Sequence, residues 1–224
     1  MSSVHPSAPE PSVLTRPPSA RAAWVNLTAV SGAHAVIHAY GVLLPLVYPI
    51  IQRQYHLSFT QIGLLITIPN LAGGLLQVIF GYLGRYVSRK SLIGVGNMVV
   101  GASMFLTGVS ATYAGFLGWG VTRSIGGAPQ HPVGSALLTD SFERKRHGLA
   151  LAGHVAGGNL GTLLVPFVGT ALILGIGWQH TLMLFALPGF LAGAAVLFLA
   201  REPTARYRRA PSGEALPLRA RLRG

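Results

Sequence analysis

An all-α integral-membrane bundle of six helices is the fold class this sequence predicts, and three observations predict it. Half of the 224 residues are hydrophobic and only 10% are charged, where soluble domains carry about 25% charged residues. Six apolar stretches, at about 24–51, 59–82, 91–110, 113–138, 148–175 and 178–200, each come near or exceed the roughly 20 residues that a spanning helix needs. The basic residues fall in the connections on alternate sides of those stretches, as in polytopic membrane proteins. Lipid offers the backbone no hydrogen-bond partners, so helices are the expected way for such stretches to satisfy themselves.

The N-terminal segment 1–23 opens with a Pro- and Ser-rich run that has little to bury, and it reads as a disordered cytoplasmic tail. The apolar stretch behind it is too long for the core of a signal peptide. Pro45, Pro49, Pro69, Pro132, Pro166 and Pro188 lie inside the spans, where neighbouring helices can take up the freed carbonyls. Of the seventeen Lys and Arg residues, fifteen fall in the N-tail, the 83–90 and 139–147 loops and the C-tail, on one side. Arg53 alone lies on the other, and Arg123 lies inside a span. The positive-inside rule then places both termini in the cytoplasm and the chain in a bacterial-type inner (plasma) membrane. The Arg-rich tail 201–224 suits an anionic leaflet of membrane lipids, or is merely solvated.

The net charge of +12 does not indicate a nucleic-acid partner, because the basic residues are short clusters between apolar runs rather than a soluble face. With no cysteine in the chain, disulfides, thiolate metal sites and cysteine nucleophiles are excluded. Glycines recur at helical spacing, for example Gly94 and Gly101, or Gly153, Gly157 and Gly161. Small residues so placed let helix backbones approach closely in lipid. A short internal echo relates Asn70–Leu76 to Asn159–Leu164, in spans of opposite direction, as an inverted 3+3 repeat requires.

None of the five acids (Glu10, Asp140, Glu143, Glu202, Glu214) lies well inside a span. The ionisable residues there are His34, His38, Arg123, His131 and His154. A charge in the bilayer costs roughly 2.5–3.5 kcal/mol on insertion scales, and chains place it toward a wet cavity or a partner. Arg123 therefore reads as a binding residue for an anionic ligand, or as a donor to carbonyls freed near Pro132 or Pro45. His34 and His38, four apart, share one helix face. They can carry a proton near neutral pH, hydrogen-bond within the bundle, or start a metal site; the sequence offers no obvious third ligand, so neither a metal nor another cofactor is expected. Asn70, Gln77 and Asn159 either line a cavity or join helices.

These residues carry a resemblance. The patterns His34-x3-His38-x-Tyr40…Pro45…Pro49, Gln61-x-Gly63-Leu64-Leu65…Asn70…Gln77…Gly81-Tyr82-Leu83, the loop Gly81–Lys90, Arg123-x3-Gly127, Ala128-Pro129-Gln130-His131-Pro132 and Gly157-Gly158-Asn159-x-Gly161…Pro166 are similar to the amino-terminal half of a major facilitator superfamily transporter, of the fosmidomycin-resistance-like branch of drug efflux proteins. The resemblance covers about residues 30–200. It implies half of a major facilitator fold and a non-enzymatic, proton-coupled secondary transporter working by alternating access. It implies a substrate cavity at Arg123, His34, His38, His131, Tyr40, Asn70, Gln77 and Asn159, and a gating loop at Gly81, Arg85, Arg89 and Lys90. The branch's first-helix acid is His38 here, which passes proton coupling to His38 and His34, and the loop-signature acid is Gly84. Family members have about twelve spans, so six imply a parallel C2 homodimer around a small-molecule substrate, with antiport and efflux of a drug or anion as the expected activity. A non-transporting half that pairs with a different six-helix chain is the alternative.

Overall fold

The structure is a computed structural model and describes residues 19–203. Among these residues every regular element is helical: α1 Ala20–Gln54, α2 Phe59–Leu83, α3 Arg89–Val109, α4 Tyr113–Gly127, α5 Gln130–Ser141, a single 3₁₀ turn Arg144–Arg146, and α6 His147–Leu199. Residues 1–18 and 204–224, which hold most of both expected tails, lie outside the described residues. Residues 20–23, read from sequence as tail, belong to α1 instead, because Ser19 caps the helix by accepting from the Ala22 N–H at 3.4 Å.

Local chemistry sets the helix ends. Ser58 accepts from the Gln61 N–H at 3.1 Å while the Gln61 side chain accepts from the Ser58 N–H at 2.8 Å, a reciprocal cap that starts α2. Ser88 and Thr112 cap α3 and α4 in the same one-sided way. The fourth stretch is not one helix as expected: it bends at Ala128 and Pro129, where Ala128 turns back to the Ile125 carbonyl and Pro129 offers no N–H. The break thus lies three residues ahead of Pro132. The fifth and sixth stretches run into one another, and only Gly177 leaves helical geometry, at φ 81° and ψ 159°, a conformation that needs glycine. Segments 147–176 and 178–199 are therefore treated as the two halves of α6.

Among the described residues four helices, α1, α2, α3 and the α6 segment, are long and apolar enough to cross a membrane. The starts of α1 and α3 and the ends of α5 and α6 meet at one pole. Asn26 donates to Ser141 and to the Arg201 carbonyl, both at 2.8 Å, and accepts from the Arg201 N–H. Arg89 donates to the Ala136 carbonyl at 3.0 Å and pairs with Asp140. Glu202 accepts from Ser88 and from the Lys90 N–H. The opposite pole is tied more sparsely, by Trp178 to Gln54 at 3.0 Å and Tyr113 to the Gln61 carbonyl at 3.4 Å.

Between the poles the helices approach at glycine. A methyl group added at Gly161 would overlap the Ala35 carbonyl of α1, and one at Gly157 would lie 2.7 Å from the Ser31 carbonyl oxygen. Gly94, Gly101 and Gly108 do the same for α3 against 178–199, and Gly96 opposes Gly126 of α4. Gly73 of α2 meets Ser124 of α4. Thus α1 pairs with the first half of α6, α4 with both α2 and α3, and α3 with the second half of α6. Exchanging the first three rods for the last three maps the α1–α6, α2–α4 and α3–α6 contacts onto one another.

Adding a methyl at a contact glycine overpacks it, at a cost of about 1–3 kcal/mol. Gly161→Ala is expected to lower the thermal midpoint of the detergent-purified protein clearly, whereas Gly63→Ala, with nothing within 4 Å, leaves it unchanged. Equal midpoints for the two variants would contradict the α1–α6 contact.

Candidate functional site

A cleft of about 320 Å³ opens between α1, α2, α4, α5 and the first half of α6. Its polar lining is His38, Asn70, Gln77, Arg123, His131 and Thr162, with Ser124 beside them. Sequence reading placed Arg123, His38, His131, Asn70 and Gln77 at a cavity, and the fold brings these five together. The bend at Pro129 is part of the reason: it separates the helix that carries Arg123 from the helix that carries His131 and lets both address one space.

Arg123 has a buried Nε without a hydrogen-bond partner. The titratable group that interacts with it electrostatically is Tyr48 of α1, and the cleft lining contains no carboxylate. The donor role toward a carbonyl freed by proline is therefore not filled by Nε. A guanidinium in this position calls for an anion.

His34 lies behind His38, 3% exposed, with ring centroids 4.4 Å apart and the planes at 90°. His131 approaches the pair from α5, at 4.9 Å from His34 and 6.0 Å from His38. His154, noted from sequence as ionisable but given no role, stacks on His34 at 4.1 Å with an interplanar angle of 18°. Four imidazoles from three helices thus form one cluster. Gly158 makes room for it, since a methyl there would lie 2.9 Å from His34 Cε1 and 3.1 Å from His38 Cδ2.

Hydrogen bonds orient the rings. His34 Nδ1 lies 2.9 Å from the His154 carbonyl oxygen. A carbonyl only accepts, so Nδ1–H is the donor and Nε2 of the neutral ring keeps its lone pair. That Nε2 is buried without a partner. His38 Nδ1 lies 3.3 Å from Thr162 Oγ1, and the Thr162 hydroxyl proton is already directed at the Gly158 carbonyl. His38 Nδ1–H therefore donates as well, which leaves its Nε2 free.

Besides His34, which lies behind His38, two expected cavity residues lie off this cleft. Tyr40 is fully buried and donates to the Phe185 carbonyl, so it joins α1 to the second half of α6. Asn159 is exposed and is not part of the lining. In the expected gating loop, Gly81 abuts Pro132 and Arg85 is exposed. Arg89 is 7% exposed and bound to Gly84, Ala136 and Asp140, and Lys90 donates to the Leu197 carbonyl at 3.3 Å. Sequence reading missed Gln130, which is buried and donates to the Val30 carbonyl at 2.9 Å, bracing α5 against α1. It also found no third partner for the His34–His38 pair; the structure supplies His131.

Because the chain lacks cysteine, single cysteines report the cleft directly. In membranes, Asn70→Cys and Gln77→Cys are expected to react with a water-soluble maleimide, since the thiolate forms only where water reaches it. Protection of both would mean that the cleft is dry.

Comparison with known proteins agrees with this geometry. The Major Facilitator Superfamily family description matches residues 30–223. The chain is 30% identical over 162 residues to the probable nitrate transporter NarT of Staphylococcus aureus (strain MRSA252), covering 69% of this chain and 41% of that protein. It is 26% identical over 189 residues to the fosmidomycin resistance protein of Escherichia coli (strain K12), covering 84% and 46%. Among solved structures, a bacterial homolog of the human lysosomal transporter Spinster, in an inward-facing and unoccupied conformation, superposes with a TM-score of 0.77 at 21% identity over 89% of this chain and 47% of the other. The chain therefore spans about half the length of the relatives it matches. All-helical, apolar and folded like the transporters it resembles, this chain is a membrane protein of the Major Facilitator Superfamily, a family of transporters rather than enzymes.

Proposed function

We propose that the chain forms a six-span half of a secondary transporter, that a second, parallel copy closes the cavity, and that the pair carries a small anion or anionic drug by alternating access. The observation that carries this reading is Arg123: a guanidinium whose Nε has no partner, in a cleft without a carboxylate. Nitrate, named for the Staphylococcus relatives, is an anion of the kind such a charge attracts. His38 and His34 act as the proton-coupling pair, with the His38 ring at the cleft and His34 in ring contact behind it. A second bundle as the missing wall is supported by exposure. α2 and the first half of α6 border the cleft, yet Leu71, Leu75, Val78, Leu160, Leu163 and Phe167 are all exposed along them. The six-span count puts both termini on the same side, so two copies insert parallel and a C2 contact is possible. The basic pole, with Arg85, Arg89, Lys90 and the Arg144–Arg146 turn, faces the cytoplasm of a plasma membrane.

The rival is a half that pairs with a different six-helix bundle or regulates one. Single-cysteine variants on the exposed faces, Leu75→Cys and Leu163→Cys, distinguish the two: oxidised in membranes, at least one is expected to yield a disulfide-linked dimer of two identical chains. Persistent monomer under conditions that link a control pair would favour the rival.

Transport itself is tested in liposomes that carry a pH gradient. Arg123→Ala is expected to abolish uptake of anionic substrate, by more than about 100-fold if the guanidinium is the main ligand, while membrane insertion stays normal. Uptake at the normal rate would remove Arg123 from the site.

A further inference from the structure

His34, His38 and His131 place one ring nitrogen each within 4.8 Å of the other two. We propose that this triad is a binding site for a borderline divalent transition-metal cation, of which Zn²⁺ is the type. The inference goes beyond the transport reading and does not depend on it, since the chain can bind a metal whether or not it moves a solute; a bound metal would compete with protons for the same imidazole lone pairs.

Three properties of the cluster point to a metal rather than to histidines merely packed together. The first is tautomer. The His154 carbonyl and the Thr162 hydroxyl hold the Nδ1–H of His34 and His38 respectively, which is how a second shell commonly presents an imidazole Nε2 to a metal. The second is an unmet valence. His34 Nε2 is buried and has no partner among the protein's own groups, although buried polar atoms are normally paired. The third is reach. Nitrogens coordinating one zinc ion at about 2.0–2.1 Å in a tetrahedron are about 3.4 Å apart. A triad with one nitrogen of each ring within 4.8 Å of the other two stands about 1 Å per ring from that spacing. His131 is exposed to the cleft and has the freedom to close that distance.

The donor set also selects the cation. Three neutral imidazoles without a carboxylate disfavour calcium and magnesium, which take oxygen ligands, and suit zinc, copper or nickel. Three protein ligands leave a fourth position open toward the cleft. A cation there and the Arg123 guanidinium would both draw an anion into the same space. His154 lies stacked behind His34 rather than among the three ligands; it supplies the orienting carbonyl, and its own ring nitrogens are buried without a partner.

Cobalt(II) is the probe, because four-coordinate cobalt absorbs far more strongly in the visible than the hexaaqua ion. The full chain, purified in detergent through a tag that contains no histidine, is titrated with Co²⁺. The expected result is an intense visible band that saturates at one cobalt per chain and bleaches when Zn²⁺ is added. His131→Ala is expected to weaken binding by more than about 100-fold, and Thr162→Val, which removes the group that holds the His38 tautomer, by about 10-fold. His180→Ala, a histidine outside the cluster, leaves the titration unchanged. Because His131 faces the cleft, its variant is expected to keep the elution volume and helical circular dichroism of the parent. A pale six-coordinate spectrum, or a titration identical in the parent and in His131→Ala, would overturn the proposal.

Discussion

Close approach of helix backbones at glycine is the constraint on which everything else in this bundle rests. Lipid removes the hydrophobic drive that would press helices together in water, so contact has to come from shape. At Gly157 and Gly161 the first half of α6 lies directly on the α1 backbone, and at Gly94, Gly101 and Gly108 α3 lies on the second half. These contacts fix the separation of the rods, and through it the size of the cleft. Gly158, one residue past Gly157, shows the coupling between packing and chemistry: the absence of a side chain that seats the helix also admits the rings of His34 and His38.

The cleft then follows from what the packing leaves over. Within it Thr162 orients His38, and behind it the His154 carbonyl orients His34, so neither ring is held by an acid. Asp140, which ends α5, is engaged by Arg89 at the pole, and Glu202 is engaged by the start of α3. Asp140 and Glu202 thus serve the architecture, Glu143 pairs with Lys145 beside the 3₁₀ turn, and the charge of Arg123 remains available to whatever enters the cavity.

Much of this was legible in the sequence, and the remainder was not, for identifiable reasons. Six apolar stretches and the side-to-side bias of basic residues are one-dimensional signals, so the rods and their connections could be placed within a few residues. Pro132 stands inside the fourth stretch, but a proline in the first turn of a helix costs no hydrogen bond; Pro129, preceding that turn, marks the interruption. Pairing His34 with His38 needs only helical periodicity. Adding His131 and His154 needs three helices to converge, and no local pattern encodes that. Tyr40 illustrates the opposite error. It shares a motif with His34 and His38, yet two residues beyond His38 a helix has turned through about 200°, so its hydroxyl meets Phe185 on another face.

The two poles are held unequally. Asn26, Arg89 and Glu202 clasp four helix ends into one plate, while the far pole is held by Trp178 with Gln54 and by Tyr113 with Gln61. The two poles are thus fastened by different chemistry: polar clasps at one, and at the other the ring contacts of Tyr55 with Phe116 and of Phe116 with Trp178 over an apolar core.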